Sequence, residues 1–306
     1  MQIRYGVIGT GALGGYYGGA LARAGREVNF LLRGDYEYVR KNGLRIDSVR
    51  GDFRLPKVNA YAAADAMPAC DVILVCVKTT ENRRLPDLLR PLLRPGSVTL
   101  LLQNGLGVEE DLAARLPEAE IAGGLAFICS QKTGPGHIRH LDYGKIDVGS
   151  YNVKNAAVFN QMLDDFRAAG VPADLSEDLL FARWRKLVWN VPFNGLAVVM
   201  NTTTDRLLAH DSARRLAREI MLEVIRGANQ CGVGLKESLA QKMIDATLEM
   251  IPYAPSMKLD YDNRRPMEIE YIYSRPIETA ARAGFYMSKT AMLESQLRFI
   301  GDEDGV

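Results

Sequence analysis

The chain has 306 residues, 47% hydrophobic and 25% charged, enough for two domains with cores of their own. Lys plus Arg total 38 and Asp plus Glu total 37, so the net charge of +1 leaves no basic field for nucleic acid and confines any anion site to local structure. No apolar run approaches the roughly 18–20 residues of a membrane span, and the chain opens on a strand-like segment rather than a targeting peptide; a cytoplasmic protein is expected.

Short apolar runs alternate with helical stretches through the first half. Residues 2–8 read as a strand and 11–24 as a helix ending near Gly25, with the next strand at 27–32. Residues 71–77 form a continuous apolar run of the kind buried on both faces of a parallel sheet, and 97–102 and 121–129 repeat it. Residues 137–141 and 145–149 read as a hairpin turning at Asp142-Tyr143-Gly144. From about Glu177 the pattern becomes helical, at 214–230, 235–250, 267–282 and 289–299. The expected fold is α/β: an N-terminal Rossmann-type doubly wound sheet over residues 1–175, then an all-helical domain over 176–306. The boundary is placed at 172–177, and 301–306 is read as a frayed tail.

Cys70, Cys76, Cys129 and Cys231 form no CxxC pair and read as buried thiols of a reducing compartment. His137 and His140, three apart in a strand, point to opposite faces, which argues against a zinc site.

Gly9-Thr10-Gly11-Ala12-Leu13-Gly14 follows a strand and opens a helix, the context in which such a turn binds a dinucleotide. The first glycine permits the tight turn, the second lets pyrophosphate approach the backbone, and the third lets helix and strand pack. The helix N-terminus then offers N–H groups and a positive dipole end to the phosphates. NAD-binding domains place an acid about 20 residues further on, for the ribose hydroxyls. Here the first polar residue is Arg33, a cation suited to a 2′-phosphate, so NADPH is expected over NADH. Lys78 is a second candidate cation, its alternative being a solvated loop lysine. Asn104, in Gln103-Asn104-Gly105 at the end of another strand, can donate and accept, although Asn-Gly also favours turns by itself.

Lys186, Asn190 and Asn194 are spaced i, i+4, i+8 and span roughly 80° of a helix surface. Their neighbours are apolar. A polar stripe there is costly unless it faces polar contents or solvent. Pro192 should bend this helix.

These residues carry a resemblance to the ketopantoate reductase (2-dehydropantoate 2-reductase) family over nearly the whole chain. Lys186, Asn190 and Asn194 fit its lysine–asparagine–asparagine signature. Ser256, Asp260 and Glu268 fit its second signature, and the Gln103–Gly107 turn is similar as well. The resemblance implies NADPH-dependent reduction of ketopantoate to pantoate, for pantothenate and coenzyme A synthesis. It makes Lys186 the general acid, with partial desolvation lowering the ammonium pKa towards neutrality. It implies that Asn104, Asn190 and Asn194 orient the substrate, that Ser256 bonds its carboxylate, and that Glu268 orients Lys186 or the substrate hydroxyl close to the cofactor. Asp260 is read as structural. The cofactor set is then Gly9, Thr10, Gly11, Ala12, Leu13, Gly14, Arg33, Lys78, Asn104 and Glu268. The partners are a small 2-oxo acid and, through the helical surfaces, a second copy in a homodimer.

Two departures bear on the substrate. Tyr273-Ser274-Arg275-Pro276 stands where the family continues with Asn-Gly, and Gly195 stands where a proline often follows the second asparagine. The alternatives are a paralogue reducing another small 2-oxo or 3-oxo acid, a 3-hydroxy-acid dehydrogenase, or a non-catalytic NADPH sensor. A dehydrogenase of that kind typically carries a catalytic histidine, and none of the three histidines stands in such a motif. A sensor needs no proton donor.

Overall fold

A computed structural model describes residues 3–304 of the chain. The first half runs β1 (Arg4–Ile8), α1 (Ala12–Arg23), β2 (Glu27–Leu31), α2 (Tyr36–Asn42), β3 (Leu44–Ser48), β4 (Phe53–Leu55), β5 (Asn59–Tyr61) and β6 (Val72–Val75). It continues through α3 (Leu85–Leu89), β7 (Val98–Leu101), α4 (Val108–Arg115), β8 (Glu120–Gly134), β9 (His137–Ser150), α5 (Ala156–Ala168) and β10 (Ala173–Leu175). Gln2, expected to start the first strand, lies outside the described residues.

Among the described residues the strands form one sheet in the order β4-β3-β9-β8-β7-β6-β1-β2-β5, with β10 also paired to β9. Every residue of β6 and β7 is buried, because helices cover both faces. β1 is hydrogen-bonded in parallel to β2 on one side and to β6 on the other. The chain therefore reverses its direction of winding at β1, and the loops after β1, β2 and β6 meet at one edge, where open sheets bind ligands. A buried polar link fastens α5 below this sheet: the Tyr5 hydroxyl donates to Asp165 Oδ2 at 2.7 Å, and Arg26 pairs with the other carboxylate oxygen at 3.0 Å. Burial and that carboxylate raise the Tyr5 pKa and keep the hydroxyl protonated as the donor.

The hairpin turns elsewhere than expected. β8 and β9 are long antiparallel partners joined at Pro135-Gly136, where Gly136 has φ +62°. Asp142-Tyr143-Gly144 lies inside β9 as a bulge: Phe127 faces Lys145, Ile128 faces Tyr143, and Gly144 is the extra residue. Tyr143 (φ +60°) and Gly144 (φ +104°) use the left-handed conformations that turns also use, which is why the segment resembles one. The segment expected to link the domains is likewise structured, since Ala173–Leu175 pairs in parallel with Ile146–Val148.

The second half is helical: α6 (Leu179–Val199), α7 (Thr204–Ala209), α8 (Asp211–Gln230), α9 (Ser238–Glu249), α10 (Ser256–Asp262), α11 (Arg275–Arg282) and α12 (Ser288–Asp304). The helix expected from residue 267 instead starts at Ile269, and its first turns, Glu270–Ser274, are a π-helix leading into α11. The expected tail is helical to Asp304, because Gly301 is buried one turn beyond the buried Leu297. Gly305 and Val306 lie outside the described residues.

The chain divides into two compact units: Met1–Gln103 with Val108–Leu179, and Asn104–Gly107 with Leu180–Val306. Each has its own apolar core. In the second unit, α8 buries Ala217, Ile220, Met221, Val224, Ile225 and Ala228 along one stripe. Trp189 of α6 stacks on Phe193 at 4.9 Å and donates to the Thr247 hydroxyl of α9 at 3.0 Å. No helix of the described residues is long and apolar enough to cross a membrane.

Candidate active site

In the first unit, the glycines of the turn after β1 have three different surroundings. Gly9 has φ +92°, and a Cβ there would lie 2.6 Å from a methyl of Val77 and 2.7 Å from its backbone nitrogen. A Cβ on Gly14 would collide with the Gly9 carbonyl. Gly11 differs: nothing lies within 4 Å of the position its Cβ would take. The first and third glycines are thus required by packing, and the second leaves backbone open on the ligand side. Gly11 also caps α1 without a side-chain hydrogen bond, and the first turn of α1 carries no acid. A helix N-terminus so arranged fits a pyrophosphate. Ala12 and Leu13 are half-exposed on it. Thr10 is buried, and its hydroxyl donates to the Leu31 carbonyl at 3.0 Å, tying the turn to the end of β2.

Arg33 emerges after β2 with its side chain 62% exposed. Its Nη2 meets Glu81 Oε2 at 2.5 Å. Glu81 is a residue that sequence reasoning passed over, although it lies three positions after Lys78 in a run of charges. Lys78 is half-buried and precedes the 3₁₀ segment Thr79–Arg84. Gln103 braces the neighbouring loop, its Nε2 donating to the Val77 carbonyl at 3.0 Å and to Asn82 Oδ1 at 2.6 Å.

In the second unit, Asn104 stands at the start of the turn Asn104–Gly107. Leu106 N–H donates to the Tyr271 carbonyl at 2.8 Å. Gly105, at φ +100°, lies so near Tyr271 that a Cβ would come within 2.5 Å of it. Tyr271, another residue without a sequence signal, thereby ties Asn104's turn to the segment that carries Glu268. Glu268 itself is 4% exposed.

Lys186, Asn190 and Asn194 share one face of α6, which runs unbroken through Pro192. Lys186 is half-buried, while Asn190 and Asn194 are 5% and 1% exposed. Asn194 Oδ1 accepts the Met257 N–H at 3.2 Å, bringing it to the first turn of α10 beside Ser256. The Nδ2 groups of Asn190 and Asn194 have no hydrogen-bond partner among the described residues. A buried amide left in that state costs about 1–3 kcal/mol, a cost that a polar ligand would remove. Asp260 is buried and pairs with Arg265 at 3.2 Å.

The departing segment adds no free charge. Arg275 pairs with Glu270 at 3.1 Å and lies over the Tyr271 ring. Tyr273 is fully buried and donates its hydroxyl to the Val191 carbonyl of α6 at 2.9 Å. Burial pushes the Cys70 and Cys129 thiols up to about 12, so both stay protonated. Among the described residues no group of His, Cys, Asp and Glu could hold a metal.

The model of the ketopantoate reductase PanE/ApbA family matches residues 5–153, and that of its C-terminal region matches 178–301. A 2-dehydropantoate 2-reductase of Nostoc sp. is 48% identical over 302 residues, covering 97% of this chain and 95% of that protein. The crystal structure of 2-dehydropantoate 2-reductase from Geobacter metallireducens matches at 43% identity with a TM-score of 0.93, over 97% of this chain and 99% of that one. That from Methylococcus capsulatus matches at 31% with a TM-score of 0.89, over 99% and 98%. The fold, the glycine turn and the residues of α6 thus come with likeness over almost the full length, and the chain belongs to the ketopantoate reductase PanE/ApbA family.

Proposed function

We propose that this chain reduces 2-dehydropantoate to pantoate with NADPH, in the cytoplasm and as a homodimer, for the synthesis of pantothenate and coenzyme A. The observation that carries the substrate end is the pair of buried, unpartnered amide groups of Asn190 and Asn194 on the same face of α6 as Lys186. They suit the hydroxyl and carboxylate oxygens of a small 2-oxo acid, with Ser256 and Asn104 supplying further hydrogen bonds. The open backbone at Gly11, the uncapped N-terminus of α1 and the cation Arg33 would hold the cofactor, with Lys78 as a second cation. When bound, the cofactor supplies a hydride to the ketone carbon. Lys186 gives a proton to the ketone oxygen, so that the carbonyl becomes a secondary alcohol and the lysine is left neutral until solvent reprotonates it. Glu268 orients the lysine. Tyr273 is held by packing and Arg275 by Glu270, so neither residue argues for another 2-oxo acid. For a second copy, Met292 and Phe299, seven residues apart and exposed on α12, offer apolar surface.

NADPH oxidation followed with ketopantoate and a panel of other 2-oxo acids tests the reading. Ketopantoate should be turned over fastest, and Lys186→Ala should lose on the order of 10²–10⁴ in kcat. Near-normal turnover by that variant would remove the lysine from the mechanism, and faster turnover of another acid would reassign the substrate.

A further inference from the structure

The loops after β2 and β6 flank the glycine turn because β1 pairs with both strands. Arg33 belongs to the first loop and Glu81 to the second, and their side chains meet at 2.5 Å. Arg84 reaches the same carboxylate oxygen at 3.4 Å. Both guanidinium groups are largely exposed, at 62% and 63%, whereas the shared carboxylate is 29% exposed. An anion thus already sits on the cation read here as the reader of the 2′-phosphate.

We infer that Glu81 is an internal competitor for the cofactor's 2′-phosphate: it occupies Arg33 until the phosphate displaces it, and Arg84 then retains it. This rests on Arg33 being the phosphate's partner. A phosphate monoester carries about −1.5 to −2 charges against the carboxylate's −1, and its oxygens match the guanidinium fork. An exposed ion pair is weak enough to be exchanged. The displaced carboxylate remains well within a Debye length of the phosphate, so it still opposes binding unless another cation holds it. Arg84 is already in place for that. The alternative, in which Glu81 helps by pre-ordering Arg33, is the weaker effect, because the arginine remains mostly exposed while so paired. Glu81 then lowers affinity for the phosphorylated cofactor alone, which eases release of NADP⁺ and sets a selectivity below what Arg33 could give unopposed.

Calorimetric dissociation constants for NADP⁺, NAD⁺ and 2′-AMP test this without reference to turnover. Glu81→Gln should bind NADP⁺ and 2′-AMP roughly three- to tenfold more tightly, with the gain shrinking between about 50 and about 300 mM salt. NAD⁺, which lacks the phosphate, should change by less than about twofold and doubles as the check that the fold is intact. Arg84→Ala should weaken NADP⁺ binding, and that loss should largely vanish in the Glu81→Gln background. An unchanged or weaker NADP⁺ affinity in Glu81→Gln overturns the inference. So does an Arg84→Ala effect that persists without Glu81, since Arg84 would then be attracting the phosphate directly. Arg33→Ala separates the two levels. If it leaves the NADP⁺ to NAD⁺ ratio intact, the reading of Arg33 fails; if it collapses the ratio while Glu81→Gln changes nothing, only the competition fails.

Discussion

Gly195 leaves empty the space that the Tyr273 hydroxyl occupies: a Cβ on the glycine would stand 2.7 Å from that oxygen. The hydroxyl in turn donates to the Val191 carbonyl, one turn back along α6 and between Asn190 and Asn194. These are two positions at which the chain departs from the pattern of its family, and they meet in the core of the second unit. The close approach of the Tyr273 hydroxyl to α6 is accommodated by the absence of a side chain at Gly195. Burial raises the Tyr273 pKa well above its ordinary value, so the hydroxyl stays protonated and keeps donating.

Gly195→Ala should therefore destabilise although the residue lies within a helix, where alanine is favoured by about 1 kcal/mol. The added methyl also meets Leu293, 2.6 Å away, and overpacking of this kind costs about 1–3 kcal/mol. The net loss should lower the melting temperature by roughly 2–6 °C in differential scanning calorimetry. Adding Tyr273→Phe removes one of the two collisions and should restore part of the loss. Strict additivity of the two single changes would show that the residues do not share the space.

The three glycines of the nucleotide turn should separate stability from binding. Gly11 has φ −89° and open space at its Cβ position, so Gly11→Ala should melt within about 2 °C of the wild type, by the usual scale of a neutral surface change. It should nevertheless weaken NADPH binding, because the methyl stands where the pyrophosphate approaches. Gly14→Ala would place its methyl on the Gly9 carbonyl and should lose stability and binding together. Thermal shifts with and without NADPH check the contrast. Unchanged NADPH binding by a Gly11→Ala variant of wild-type stability would mean that Gly11 does not face the cofactor.

What could be read from the sequence was local. The runs that became β1, β6 and β7 are mostly apolar because helices bury both their faces, Arg4 and Thr99 being the exceptions, and the glycine turn states its conformation within six residues. β3 and β4 carry charges between apolar residues, as in Leu44-Arg45-Ile46-Asp47, and β4, β5 and β10 are three residues long. Their pairing partners, not their own composition, make them strands. The site divides in the same way. Lys186, Asn190 and Asn194 share a face by helix geometry alone. The hold of Tyr271 on the turn of Asn104, and of Glu81 on Arg33, joins residues far apart in the chain, and no periodicity announces such a contact.

Glu223 should prove one of the costliest polar side chains to remove from the second unit. It is 7% exposed, and its carboxylate caps the N-terminus of α12, accepting the backbone N–H of Lys289 at 3.0 Å and of Thr290 at 2.8 Å. The hydroxyls of Ser288 and Thr290 donate to it as well. The helix dipole adds to these bonds. Glu223→Ala should cost about 2–4 kcal/mol, as two buried donors of Thr290 and two part-buried donors of Ser288 and Lys289 lose a charged acceptor together. Glu223→Gln should recover less than half of this, because one face of the amide presents N–H to N–H. Urea denaturation measures both, and a glutamine variant as stable as the wild type would show that the charge contributes nothing.

Acid should loosen the first unit through His140. Its Nε2 lies 3.0 Å from the Asp142 carbonyl, which can only accept, so Nε2 carries the proton. Nδ1 is then the acceptor for the Ser48 hydroxyl at 2.8 Å, a bond that joins β9 to β3. Tyr16 packs on the ring at 4.3 Å. Desolvation first, and the nearby Arg50 in addition, hold the folded-state pKa below 6.5. The unfolded chain therefore takes up this proton before the folded one does. The contribution to stability is complete above about pH 6.5 and is lost as pH falls from there through the folded-state value. Protonation would also turn Nδ1 into a donor facing the serine. In melting experiments from about pH 8 to about pH 5, the stability advantage of the wild type over His140→Asn should be constant at the alkaline end and narrow below about pH 6.5. An advantage that stays constant, or widens, on acidification would mean that the histidine is not held neutral by the fold.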